Sequence, residues 1–66
     1  MIKVTDAIRK LNINDYTHVV CKRRLSAGNF DYVKGGYAKI FIDSIYGNLI
    51  ILETIIIEGR IIFIVE

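Results

Sequence analysis

Residues 49 to 65 of this chain read LIILETIIIEGRIIFIV, and in 49–52 and again in 61–65 every neighbour of an apolar residue is apolar. Successive side chains of a strand point to opposite faces, so a run without alternation makes both faces of the strand apolar. Glu53, Glu58, Gly59 and Arg60 interrupt the run, which excludes a membrane-spanning helix of about 20 mostly uncharged residues. What remains is a set of strands that need cover on both sides. The chain has 66 residues, so residues 1–66 form a single domain near the lower limit for a fold held by a hydrophobic core.

The pattern upstream offers little cover. Thr5, Asp6, Ala7, Ile8, Arg9, Lys10 and Leu11 read as one short helix, with Thr5 as N-cap, Asp6 at the positive end of the dipole and Arg9 and Lys10 at the negative end. Val4, Ile8 and Leu11 then fall on one apolar stripe, and Asn12 and Asn14 end the helix. No second helical pattern follows. After Asp15, β-branched and aromatic residues dominate and the breaks are glycine or asparagine. This predicts strands over 18–25, 30–43, 49–53, 54–58 and 61–65, with turns at Ser26-Ala27-Gly28-Asn29 and Tyr46-Gly47-Asn48. Gly35-Gly36 reads as a bend or bulge inside the second strand. The expected fold is mainly β with a short N-terminal helix, a small, strongly bent five-stranded barrel of SH3 or Sm type. The alternative is α+β, a helix on a four-stranded antiparallel sheet.

Each large apolar side chain left in water forgoes about 1.5–3 kcal/mol. A barrel buries only its inner face, so the excess predicts self-association. The last strand is terminal and free of proline and blunting charge, which makes Ile61, Ile62, Phe63 and Ile64 the expected subunit interface of a homo-oligomer. A different protein adding a strand there is the other reading.

Charge is unevenly placed. Residues 1–39 carry eight Lys or Arg against three Asp, whereas residues 40–66 carry one Arg against four acids. A basic half points to a polyanion or an acidic protein surface, or simply to a solvated face. The densest run is Lys22-Arg23-Arg24. On a strand, His18, Val20, Lys22 and Arg24 share one face and Val19, Cys21, Arg23 and Leu25 the other. Phosphates would meet Lys22 and Arg24, with Lys34 and Lys39 nearby, and Phe30, Tyr32, Tyr37 and Tyr46 offer stacking surfaces to bases. Arg23, on the apolar face, belongs at a rim or opposite an acid of a partner.

Catalysis finds no support. His18 and Cys21 point to opposite faces of a strand, and a structural zinc needs four ligands. Gly35-Gly36 lacks the helix and Lys-Ser/Thr of a phosphate-binding loop. Asp43, Glu53 and Glu58 form no acid and base pair, and Asp43 reads as a turn-former. No metal, cofactor or enzymatic activity is expected. The single Cys21 forms no internal disulfide, and nothing at the amino end has the zones of a secretory signal, which predicts a reducing cytoplasm.

Gly36-Tyr37-Ala38-Lys39-Ile40-Phe41-Ile42-Asp43, the turn ending Gly47-Asn48, and Leu49-Ile50-Ile51-Leu52 together resemble the first half of the Sm motif. Ile55-Ile56-Ile57-Glu58-Gly59-Arg60-Ile61-Ile62-Phe63-Ile64 resembles the second half, an apolar triplet, a charged residue, glycine and an apolar run. Residues 40–66 also resemble the Sm-related YolD-like bacterial proteins, in which an Ile-Asp pair precedes short apolar strands. The resemblance implies a small β-barrel that assembles into rings, with Asn48 and the Tyr46-Gly47 turn in the loop that holds a base. Two departures stand out: the interval between Asp43 and Asn48 is one residue longer, and Glu58 replaces the basic residue of the nucleic-acid-binding members. The expected function is therefore a small oligomeric binding module for RNA or single-stranded DNA. The alternative is a protein-interaction module or inhibitor, of mobile-element or phage type, that occludes a larger protein.

Overall fold

The computed structural model describes all 66 residues. Strand β1 (Ile2–Lys3) leads into helix α1 (Val4–Lys10), followed by β2 (His18–Ser26), β3 (Asn29–Tyr37), α2 (Ala38–Ile42), a 3₁₀ turn (Ile45–Asn48), β4 (Ile50–Ile57) and β5 (Arg60–Val65). The five strands form one mixed sheet in the order β1-β4-β5-β2-β3. β2 and β5 run parallel, and every other pair is antiparallel. The sheet is open, so the expected barrel does not form. Its Cα extents of 31 × 25 × 17 Å leave depth for one layer of helix on one side only. The chain is mainly β with five strands and a short N-terminal helix, as expected, but the sheet is mixed and carries a second short helix.

Both hairpins follow from local sequence. Ser26 pairs with Asn29 across Ala27-Gly28, where Gly28 takes φ of 81°. Ile57 pairs with Arg60 across Glu58-Gly59, whose φ values of 45° and 75° are those of a two-residue type I′ turn. β4 is one strand, where residues 49–53 and 54–58 were expected as two, with a register shift between Ile51 and Glu53 that leaves Leu52 unpaired.

The largest correction concerns β5. The run expected at an edge lies in the middle of the sheet, with β4 on one side and β2 on the other. Its apolar character on both faces is that of an interior strand. Ile61, Phe63 and Val65 join Val4, Ala7, Ile8, Val19, Cys21, Ala38 and Phe41 in the core beneath the helices. Ile62 and Ile64 face the other way. These four residues, Ile61 to Ile64, therefore present no free strand edge.

α2 is the second correction, because residues 38–42 were expected to continue the β3 strand. Ala38 and Phe41, three apart, are fully buried. The amides that open the helix are satisfied from outside it: Ala38 N–H donates to Thr17 O at 2.9 Å and Lys39 N–H to Asp15 O at 3.0 Å. In α1 the N-cap is Lys3, with no side-chain cap, in place of Thr5. The buried stripe is Val4, Ala7 and Ile8, while Leu11 lies beyond the last helical residue and is exposed.

Candidate nucleic-acid interface

With both helices on one side, the opposite face of the sheet has no covering layer. Alternation assigns its residues. Val19 and Cys21 point into the core, so His18, Val20, Lys22 and Arg24 point to the open side. Their partners follow: Tyr37 opposite His18, Gly35 opposite Val20, Tyr32 opposite Lys22, Phe30 opposite Arg24. A register shift between Cys21 and Lys22 makes Val33 the extra residue of β3, which lets Val33 pack against the core while Tyr32 stays outside. Phe30, Tyr32 and Tyr37, at 44%, 63% and 47% exposure, thus stand in one row along β3. His18, Lys22 and Arg24 make a parallel row along β2.

Several contacts hold this surface. Tyr32 lies across Gly35, where a Cβ would come within 2.8 Å of its hydroxyl. Tyr37 packs edge to face against His18, with ring centroids 6.5 Å apart, and against Tyr16 at 5.6 Å. Lys39 Nζ sits 4.7 Å from the Tyr16 ring centre, which places Lys39 at the border of the aromatic row. Arg24 stacks over Phe30 at 5.6 Å. Its guanidinium also reaches Glu53 on β4 at 2.9 Å. Because β5 lies between β2 and β4, that ion pair spans β5, and Ile64, the register partner of Glu53, is only 1% exposed on the uncovered side.

The residues expected to form one binding site separate. Lys22, Arg24 and Tyr37 share the open face, and Lys39 adjoins it. Lys34 is opposite Cys21 and turns to the helix side, where its Nζ lies 5.3 Å from the Tyr46 ring centre. Asn48 lines a polar groove of about 520 Å³ on the same side, together with Lys3, Thr5, Asp6, Arg9 and Asp43. Ser44 Oγ accepts from Tyr46 N–H at 3.0 Å and shapes that turn. Arg23 reaches the rim, where its Nε donates to the Glu66 carbonyl at 3.1 Å. Phe30 and Tyr32 stand on the open face with Lys22 and Arg24, where Tyr46 and Lys34 do not, and strand alternation was the signal that would have selected them.

No protein-family model, curated protein or solved structure matches the chain. Of the residues that carry the Sm resemblance, 38–42 are helical and 50–57 with 60–65 form the β4–β5 hairpin. No helix is long and apolar enough to cross a membrane.

Cys21 takes no part in the open face. It is fully buried, and burial pushes its thiol from 9.0 up to about 12. The thiolate is the nucleophile, so iodoacetamide will label Cys21 slowly in the native protein and rapidly in urea. The folded pKa exceeds the unfolded one. The stabilisation is therefore complete below pH 9 and declines as pH rises from 9 toward 12, by about 1.4 kcal/mol per unit. Urea midpoints at about pH 8 and about pH 10.5 will fall further apart in the native sequence than in Cys21→Ala. Equal falls would contradict the burial.

Proposed function

We propose that the protein is a binding module for single-stranded RNA or DNA, and that the strand lies along β2 and β3 on the open sheet face. One observation carries the reading. Phe30, Tyr32 and Tyr37 form an exposed aromatic row beside His18, Lys22 and Arg24, and no acidic side chain of β2 or β3 faces that side. Bases stack on such rings irrespective of sequence, each contributing about 1–3 kcal/mol, while cations alongside take the phosphates. An uncovered sheet face also leaves the bases accessible, as recognition of unpaired strands requires.

Arg24 divides its charge between Glu53 and any phosphate, so Lys22 is the freer cation. The test is fluorescence anisotropy with labelled oligonucleotides at two salt concentrations. With two or three phosphate contacts, the logarithm of the binding constant will fall with the logarithm of salt at a slope of about −1.4 to −2. Tyr32→Ala will weaken binding about tenfold, and Glu53→Gln, which releases Arg24, will tighten it. An absence of binding at low salt ends the proposal.

The competing reading, a protein partner, draws on the other half of the same face, where Ile55, Ile57 and Ile62 stand in place of the aromatic row, with Arg60 and Glu53 among them. It predicts a heterocomplex that tolerates salt and is indifferent to Tyr32→Ala.

A further inference from the structure

The two edges of the sheet are unlike. β3 is blunted by Asp31, Lys34 and the bulge at Val33, devices that discourage strand addition. At the other edge β1 pairs only with Ile50 and Ile51. From Leu52 to Ile57 the outer side of β4 has no neighbouring strand. That stretch contains no proline or lysine, and its one charge, Glu53, is engaged by Arg24 across the sheet. Leu52, Ile56 and Ile57 are 61%, 68% and 50% exposed on this edge. An unblunted apolar edge of six residues is a template for another strand.

We propose that a second copy of this chain takes that edge, β4 against β4, antiparallel about a twofold axis through Ile55 and normal to the sheet. Three considerations select a second copy. In this register Ile55 faces itself, Thr54 faces Ile56 and Glu53 faces Ile57, so faces match and no like charges meet. A strand apolar on both faces is best matched by another such strand, and β4 is one. The surface beside the edge is largely apolar as well. Beside the edge, between α1 and β4, lies a groove of about 490 Å³ whose lining is mostly apolar, Met1, Ile2, Leu11 and Leu52 included, with Thr54, Lys10 and Glu53. Ile56 of each copy, on the helix side opposite Ile61, comes alongside the other copy's groove. Met1, Ile2 and Leu11 beside the groove are exposed like Leu52, Ile56 and Ile57 on the edge, so a second copy covers large apolar side chains along the whole seam.

The product is a continuous sheet of ten strands with both helix layers on one side and one uninterrupted open face on the other. The aromatic rows lie at its two ends. The dimer does not depend on nucleic-acid binding, and its test omits nucleic acid.

Light scattering over a dilution series will give twice the 7.6 kDa chain mass at tens of micromolar. Ile56→Lys will raise the dissociation constant about tenfold or more with an unchanged circular dichroism spectrum, and Ile45→Lys, on the exposed 3₁₀ turn, will not. Ile55→Cys will form an intermolecular disulfide under mild oxidation, because this register brings the two residues face to face. Leu52→Cys will not. A monomer at every concentration overturns the proposal. So does a dimer that survives Ile56→Lys and fails to cross-link through Ile55→Cys. Tyr32→Ala, which weakens oligonucleotide binding, will leave the mass unchanged.

Discussion

Phe63→Ala will leave most of the chain unfolded at room temperature. Phe63 is fully buried in the middle of β5, beneath α1 and α2, opposite Cys21 on β2 and Thr54 on β4. Truncating a buried phenylalanine costs about 3–5 kcal/mol in lost transfer energy and residual cavity. A core in a domain of this size supplies little more than about 3–5 kcal/mol in total. The central position leaves little route to relaxation, because the strands on both sides are held in register with it, Cys21 on β2 and Thr54 on β4. Loss of the cooperative urea transition is the expected readout. A variant that retains a transition within about 1 kcal/mol of the parent would show that β5 is not the spine of the sheet.

Gly47→Ala will be nearly as damaging, for a different reason. Gly47 is buried in the 3₁₀ turn, where its Cα packs between the Thr5 side chain on α1 and the backbone carbonyl of Phe41 in α2. A methyl there overlaps both. Thr5 can rotate away, but the carbonyl cannot move without displacing α2. The expected loss is about 3 kcal/mol, at the upper end of overpacking costs. Thr5→Ala alone will change stability little, and the double variant will recover only the smaller part of the loss. Full recovery in the double variant would locate the crowding at Thr5 alone. A fully stable Gly47→Ala would mean that the turn does not pack against both helices.

The two positions differ in how far sequence anticipates them. Phe63 stands in an apolar run that signals burial, although its place in the sheet is not local information. Gly47 reads as an ordinary turn glycine in Tyr46-Gly47-Asn48. Its role depends on Thr5 and on the Phe41 carbonyl, which only the fold brings beside it. The candidate site divides similarly. Phe30, Tyr32, Lys22 and Arg24 follow from alternation along two paired strands, whereas Lys34, Tyr46 and Asn48 looked equivalent in the sequence and turned to the helix side. For Lys34 the decisive feature was a single extra residue in β3, which reverses the side-chain parity of the rest of that strand, and Tyr46 and Asn48 lie in the 3₁₀ turn outside the sheet.

By itself the sequence determined the short range of the fold. Turn glycines and β-branched runs set the β2–β3 and β4–β5 hairpins, the spacing of apolar residues set α1, and the doubled apolar faces of 61–65 demanded cover on both sides. Only the tertiary structure decided that the helices cover one face and that the other has no helix over it. Parallel pairing of β2 with β5 joins residues some forty positions apart, and its register is written in no local pattern. Residues 38–42 have the composition of a strand, yet they are helical because Thr17 and Asp15 receive their first amides and the core receives Ala38 and Phe41. Local propensity differs between helix and strand by less than 1 kcal/mol per residue, so a few long-range hydrogen bonds and two buried side chains were enough to reverse it.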